Sequence, residues 1–189
     1  MLRMAVDKAK AANMPKDNIE KAIKRGTGEL GGDQILELLY EGVGPANTQY
    51  IVKAITDNKN RSASNIRHIF SKHGGSLGSV MWNFEQKGVI RILKENLSEL
   101  SDSQELELID LGAEDIQIEE EGITIISQME DLQKLKKYFD DLKIETESAD
   151  IEYIAKDKIN LSDSDQEKTD KLEEALEDCE DIGDYYSNI

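Results

Sequence analysis

Arg61, Arg67 and Lys72 stand with Ser64, Asn65 and His68 in one short stretch, Asp57–Gly78 (DNKNRSASNIRHIFSKHGGSLG). Guanidinium and ammonium groups interleaved with hydroxyl, amide and imidazole donors suit one chemistry above others. They neutralise and hydrogen-bond anionic oxygens, those of phosphate first. The element that must carry them is a helix. Ala63, Ile66, Ile69 and Phe70 recur at helical spacing and share one face, with Arg61, Ser64, Asn65, His68 and Lys72 opposite and Arg67 near the boundary. Asn60 and Ser62 are suitable N-caps, and Gly74 suits the left-handed residue that closes a helix.

A second cationic set precedes it. Lys16, Lys21, Lys24 and Arg25 decorate a stretch whose apolar side is Ile19, Ala22 and Ile23, with Pro15 placed as a first helical residue and Gly26 as the end. Residues 1–12 read as an earlier helix carrying Val6, Ala9 and Ala12, interrupted at Asn13-Met14. Two helices so joined would fit a DNA-reading helix-turn-helix, but the second is short, and a plain helical hairpin is the simpler expectation. Gly26–Gly31 satisfies GxGxxG, yet it follows a helix where a phosphate cradle needs a preceding strand. It reads as a flexible connector.

The inventory for catalysis is thin. Cys179 sits on an apparent helical stripe amid Glu177, Asp178, Glu180 and Asp181, where negative charge disfavours a thiolate, so a buried structural cysteine is expected. His68 and His73 are five apart, not the four that a helical metal pair uses. The Asp163–Glu167 cluster lacks the glycine of an EF-hand loop, and neither a GxSxG elbow nor a Walker lysine is found. No catalytic residue, cofactor or metal is expected.

The chain of 189 residues has a net charge of −17, divided unevenly. Residues 1–94 hold 15 Lys/Arg and 9 Asp/Glu, whereas residues 95–189 hold 8 and 31. That asymmetry suggests that the halves face different partners. A single cysteine fits a reducing compartment, and no run approaches the roughly 20 apolar residues of a membrane span. The start, MLRMAVDKAKAAN, lacks a signal-peptide core, so the expected location is cytoplasmic, with no membrane partner.

The remaining elements are mixed. Strands are expected at 35–43 and 49–57, and again through Val80, Trp82 and Phe84, whose alternation makes Trp82 a core residue. From Gly88 the order is βαββαβ, as in a ferredoxin-like sandwich. It runs through a strand at 89–93, a helix opened by the Ser101–Gln104 capping box, strands at 115–119 and 123–127, a helix capped from Ser127, and a strand at 145–155. A helix capped from Ser164 and a strand at 182–189 follow, supplying the αβ that residues 34–86 lack. The expected fold class is therefore α+β. A helical N-terminal stretch with its Gly-rich linker (1–33) precedes two ferredoxin-like units, the second (87–157) inserted into a discontinuous first (34–86 with 158–189).

At these residues the sequence resembles the YebC family, which includes the mitochondrial translational activator of cytochrome oxidase. The matching segments are Asp7–Glu29, Leu39–Pro45 (LYEGVGP), Thr56–Gly78, Phe84–Gly88 (FEQKG) and the closing LEEALEDCEDIGDYYSNI. The resemblance implies a three-part architecture, in which the helical stretch at 1–33 is a partial N-terminal domain, and a noncatalytic regulator of gene expression. The sequence departs from the family in two places. Family members carry a long Lys-rich segment with an SKW-type motif ahead of the position of Met1, and their loop between the double glycine and the strand is longer than Gly75–Trp82. Family members are described as DNA-binding transcriptional regulators; others are ribosome-associated translation factors that meet ribosomal RNA. For either, Lys16, Lys21, Lys24, Arg25, Arg61, Arg67 and Lys72 are the expected phosphate contacts. An alternative from another class is a protein-interaction module using the acidic half. The sequence leaves the oligomeric state open.

Overall fold

The computed structural model describes residues 5–6, 9–10, 12–27 and 35–189. Their fold is α+β, with five α-helices and two four-stranded antiparallel sheets. The chain divides into two compact units, residues 1–78 with 161–185, and residues 79–160 with 186–189.

The first unit holds α1 (Lys16–Gly26), β1 (Leu36–Val43), β2 (Gln49–Thr56), α2 (Lys59–Lys72), β3 (Ser76–Leu77), α5 (Asp163–Glu177) and most of β8 (Ile182–Ser187). Its sheet order is β3-β1-β2-β8. β1 and β2 form a hairpin in register from Leu36 opposite Thr56 to Val43 opposite Gln49. The turn at Pro45–Asn47 puts Ala46 and Asn47 at φ 53° and 63°. Alternate residues of β2, Tyr50, Val52 and Ala54, point into a core completed by Ile66 and Phe70 of α2 and Leu172 and Leu176 of α5. Gly42 lets the Phe70 ring approach β1 closely, since a Cβ there would be 2.5 Å from Phe70 Cε1.

The second unit runs β4 (Phe84–Leu93), α3 (Asp102–Asp110), β5 (Ala113–Ile118), β6 (Gly122–Ser127), α4 (Leu132–Asp141) and β7 (Ser148–Ala155). The sheet order β5-β6-β4-β7 is that of a ferredoxin-like sandwich. The hydrophobic effect closes it over Ile90 and Ile92 of β4, Ile123 and Ile125 of β6, Leu108 of α3, and Leu135 and Phe139 of α4. The Ser101–Gln104 capping box forms as expected: Ser101 Oγ accepts from the Gln104 amide, and Gln104 Oε1 accepts from the Ser101 amide.

Several local expectations are corrected. The alternation at 80–84 is not a strand: Met81–Asn83 is one 3₁₀ turn, and β4 then runs unbroken from Phe84 to Leu93. Trp82, at the middle of that turn, is 64 % exposed, not core. The cap of α2 is Asn58, whose Oδ1 accepts from the Arg61 amide, and Ser62 is instead buried. Ser127 does not cap α4; its hydroxyl turns to the Gly88 and Gln128 carbonyls, and Asp131 occupies the N-cap position. α5 is capped by Ser162, two residues before the expected Ser164. β7 begins at Ser148 rather than 145, and Pro15 is the N-cap of α1 rather than its first residue. Cys179 lies beyond the end of α5 and is only half-buried. The GxGxxG connector lies outside the described residues from Gly28 onward, as does most of the expected 1–12 helix.

Candidate nucleic-acid interface

On α1, Lys21, Lys24 and Arg25 fall within one angular sector at 3.6 residues per turn, opposite buried Ile19 and half-buried Ile23. Lys16 stands apart at the N-terminal end, 3.6 Å from Glu20 one turn on. All four are exposed.

On α2, burial of Ser62, Ile66 and Phe70 against the sheet leaves Arg67, His68 and Lys72 on the exposed side. Gly74 closes the helix at φ +80°, as its type required. Among the described residues, Lys21, Lys24, Arg67 and Lys72 make no ion pair. The same holds for Lys59, an exposed cation of the first turn that the sequence-derived set omitted.

Arg61 is different. Its Nη2 donates to Asp181 Oδ1 at 2.7 Å and to Asp57 Oδ1 at 3.0 Å, and its Nε donates to Asp181 Oδ2 at 3.3 Å. Asp181 lies just before β8 and is 7 % exposed; it also accepts from Thr56 Oγ1 and from the Asn65 side chain. Hydrogen bonding from Arg61, and then its charge, hold the Asp181 carboxyl below its ordinary range. The same carboxylate raises the affinity of the guanidinium for its proton. Asp57 also lies 4.0 Å from Arg25, so one carboxylate stands beside cations of both α1 and α2.

The sequence-derived set is thus divided by geometry. Lys21, Lys24, Arg67 and Lys72 present free charge, Lys16 and Arg25 are loosely paired, and Arg61 is committed to carboxylates within the fold. Asp57 carried a local signal, since it stands four residues before Arg61. Asp181 carried none, because 120 residues separate it from its partner. Among the described residues no three His, Cys, Asp or Glu side chains converge as metal ligands. No helix among them is long and apolar enough to cross a membrane.

Comparison with known proteins agrees with this architecture. The family model for the second and third domains of TACO1/YebC proteins matches residues 35–189, and that for the TACO1/YebC N-terminal domain matches residues 1–29. A protein of Thermoanaerobacter pseudethanolicus named a probable transcriptional regulatory protein is 44 % identical over 191 residues, covering 100 % of this chain and 77 % of the relative. A similarly named protein of Kosmotoga olearia is 47 % identical over 193 residues, covering 100 % and 75 %. The crystal structure of a conserved hypothetical protein from Aquifex aeolicus superposes with a TM-score of 0.87 at 40 % identity, covering 98 % of this chain and 77 % of that one. On these matches, over both sequence and fold, the chain belongs to the TACO1/YebC family.

Proposed function

We propose that the protein is a noncatalytic, cytoplasmic regulator of gene expression that contacts DNA through the cationic faces of α1 and α2. One observation carries the reading: Lys21, Lys24, Lys59, Arg67 and Lys72 stay exposed and unpaired among the described residues of a chain with 40 Asp and Glu. In so acidic a protein, cations left without carboxylate partners suit an external anion. The names of the relatives point to transcription.

The mode of contact follows from the chemistry. Lys and Arg neutralise phosphates and release condensed counterions, so affinity should fall linearly with salt on logarithmic axes. Arg61 and Asn65 could otherwise make bidentate contacts with base edges, but both engage Asp181. The interface is therefore one of backbone contact, which positions without reading sequence.

That engagement also favours a second reading, in which the phosphates belong to ribosomal RNA, where shape rather than base sequence is recognised. Fluorescence anisotropy on a random-sequence duplex, set beside cosedimentation with ribosomes at matched salt, separates the two. Duplex binding that weakens with salt, and that is reduced with a shallower salt slope when Lys21, Lys24, Arg67 and Lys72 are replaced by Ala, supports the DNA reading. Ribosome binding with no duplex binding supports the RNA reading, and neither binding overturns both.

A further inference from the structure

The second unit carries a surface that nucleic-acid contact does not use. α3 is apolar on both sides. Leu108 faces the sheet and is fully buried, whereas Leu106 and Ile109 point the other way and are 64 % and 56 % exposed. A solvated helix face normally carries polar residues there. Leu106 and Ile109 are spaced i, i+3, so they form one contiguous apolar ridge.

Carboxylates border this ridge. On the helical projection Asp102, Glu105 and Asp110 lie beside Leu106 and Ile109, and none of the three makes an ion pair among the described residues. The wider field has the same sign. From Glu95 to Gln133 the sequence has thirteen Asp and Glu and no Lys or Arg. The Ser101–Gln104 capping box fixes the start of the helix, so the ridge is held on a rigid element.

We propose that the outer face of α3 is a docking site for a basic segment of another protein, one that presents aliphatic side chains flanked by Lys or Arg. Charge complementarity selects the occupant. An apolar ridge with an anionic border rewards a partner that buries aliphatic surface and brings cations to the rim. The same field repels nucleic acid. It also disfavours a second copy of the chain through its net charge of −17.

The test uses the full chain and a defined probe: a short helix-forming peptide of Leu and Lys with its leucines on one face. Two controls are a scrambled peptide of the same composition and an analogue with Gln in place of Lys. Calorimetric titration should show the amphipathic peptide binding at least about tenfold more tightly than either control. Leu106→Ser with Ile109→Ser should bring it down to the level of the scrambled peptide. These are exposed positions, and an unchanged circular dichroism melt shows that the fold is kept. Asp102→Asn with Glu105→Gln and Asp110→Asn should weaken binding independently. Equal binding of amphipathic and scrambled peptides, or full binding by the Leu106/Ile109 variant, overturns the proposal. So does a dimer in sedimentation equilibrium that the same variant dissociates, since a second copy would then cover the face. Duplex binding should be unchanged in the α3 variants, which keeps this proposal separable from the nucleic-acid one.

Discussion

Arg61 and Asp181 are joined by two hydrogen bonds, Nη2 to Oδ1 at 2.7 Å and Nε to Oδ2 at 3.3 Å, across 120 residues of sequence. The pair ties the start of α2 to the segment that enters β8. It is the clearest case here of a cation kept for the fold rather than for a ligand.

Acid should expose its contribution. Folding lowers the Asp181 carboxyl below 3.8, chiefly through hydrogen bonds from Arg61. A group whose pKa is depressed by folding stabilises the native state above its unfolded value and ceases to do so as pH falls through its folded value. The wild type should therefore lose stability from this source as pH drops below about 3.8. Asp181→Asn should melt at a lower temperature near neutrality and show a shallower acid dependence. Parallel melting curves across the acid range would show that the pair does not titrate with folding.

Glu173 should behave with the opposite sign. It accepts from the hydroxyl of fully buried Tyr50 at 3.0 Å, and burial raises its pKa above 4.5. A carboxyl raised by folding stabilises most when protonated, so stability is lost as pH rises from 4.5 through the folded value. Glu173→Gln keeps an acceptor for Tyr50 and removes the charge. Its urea midpoint should stay level across that interval while the wild-type midpoint falls. Midpoints that change together would contradict this.

Gly42 should tolerate no side chain. A Cβ there would lie 2.5 Å from Phe70 Cε1 and 2.6 Å from Cζ, and the ring is fully buried between β1 and the rest of the core. Gly42→Ala should cost about 1–3 kcal/mol of unfolding free energy by overpacking. Phe70→Leu in the same chain should recover part of the loss by making room. Equilibrium urea denaturation checks both. Additive losses in the double variant would locate the strain elsewhere.

Much of this fold is written locally. Gly74 announced a left-handed helix end, Ser101 with Gln104 announced a capping box, and both formed because nothing distant competes with them. The βαββαβ order was legible because each apolar run is bounded by its own turn. Trp82 misled because a 3₁₀ turn leading into β4 mimics two-residue alternation for five positions. Ser127 misled because a hydroxyl in a strand end has carbonyls closer to hand than the amides of the next helix. At the candidate interface, helical spacing put Lys72 and His68 opposite the buried face of α2. It left Arg67 near a boundary where the structure exposes it, and it did not set Lys16 apart from Lys21, Lys24 and Arg25. What spacing could not show was which cation another part of the chain had already neutralised, and Arg61 is that case.

The salt dependence of duplex binding reads out the phosphate contacts assigned to α1 and α2. Wild-type chain and the Lys21→Ala/Lys24→Ala/Arg67→Ala/Lys72→Ala variant would be titrated against one labelled random duplex from roughly 50 to 200 mM salt. The variant's logarithmic slope should be shallower by about one for each phosphate contact removed, while Arg61→Ala leaves the slope unchanged and lowers the melting temperature. Equal slopes for wild type and the fourfold variant, or a slope that changes only with Arg61, would contradict the assignment of these helix faces to nucleic acid.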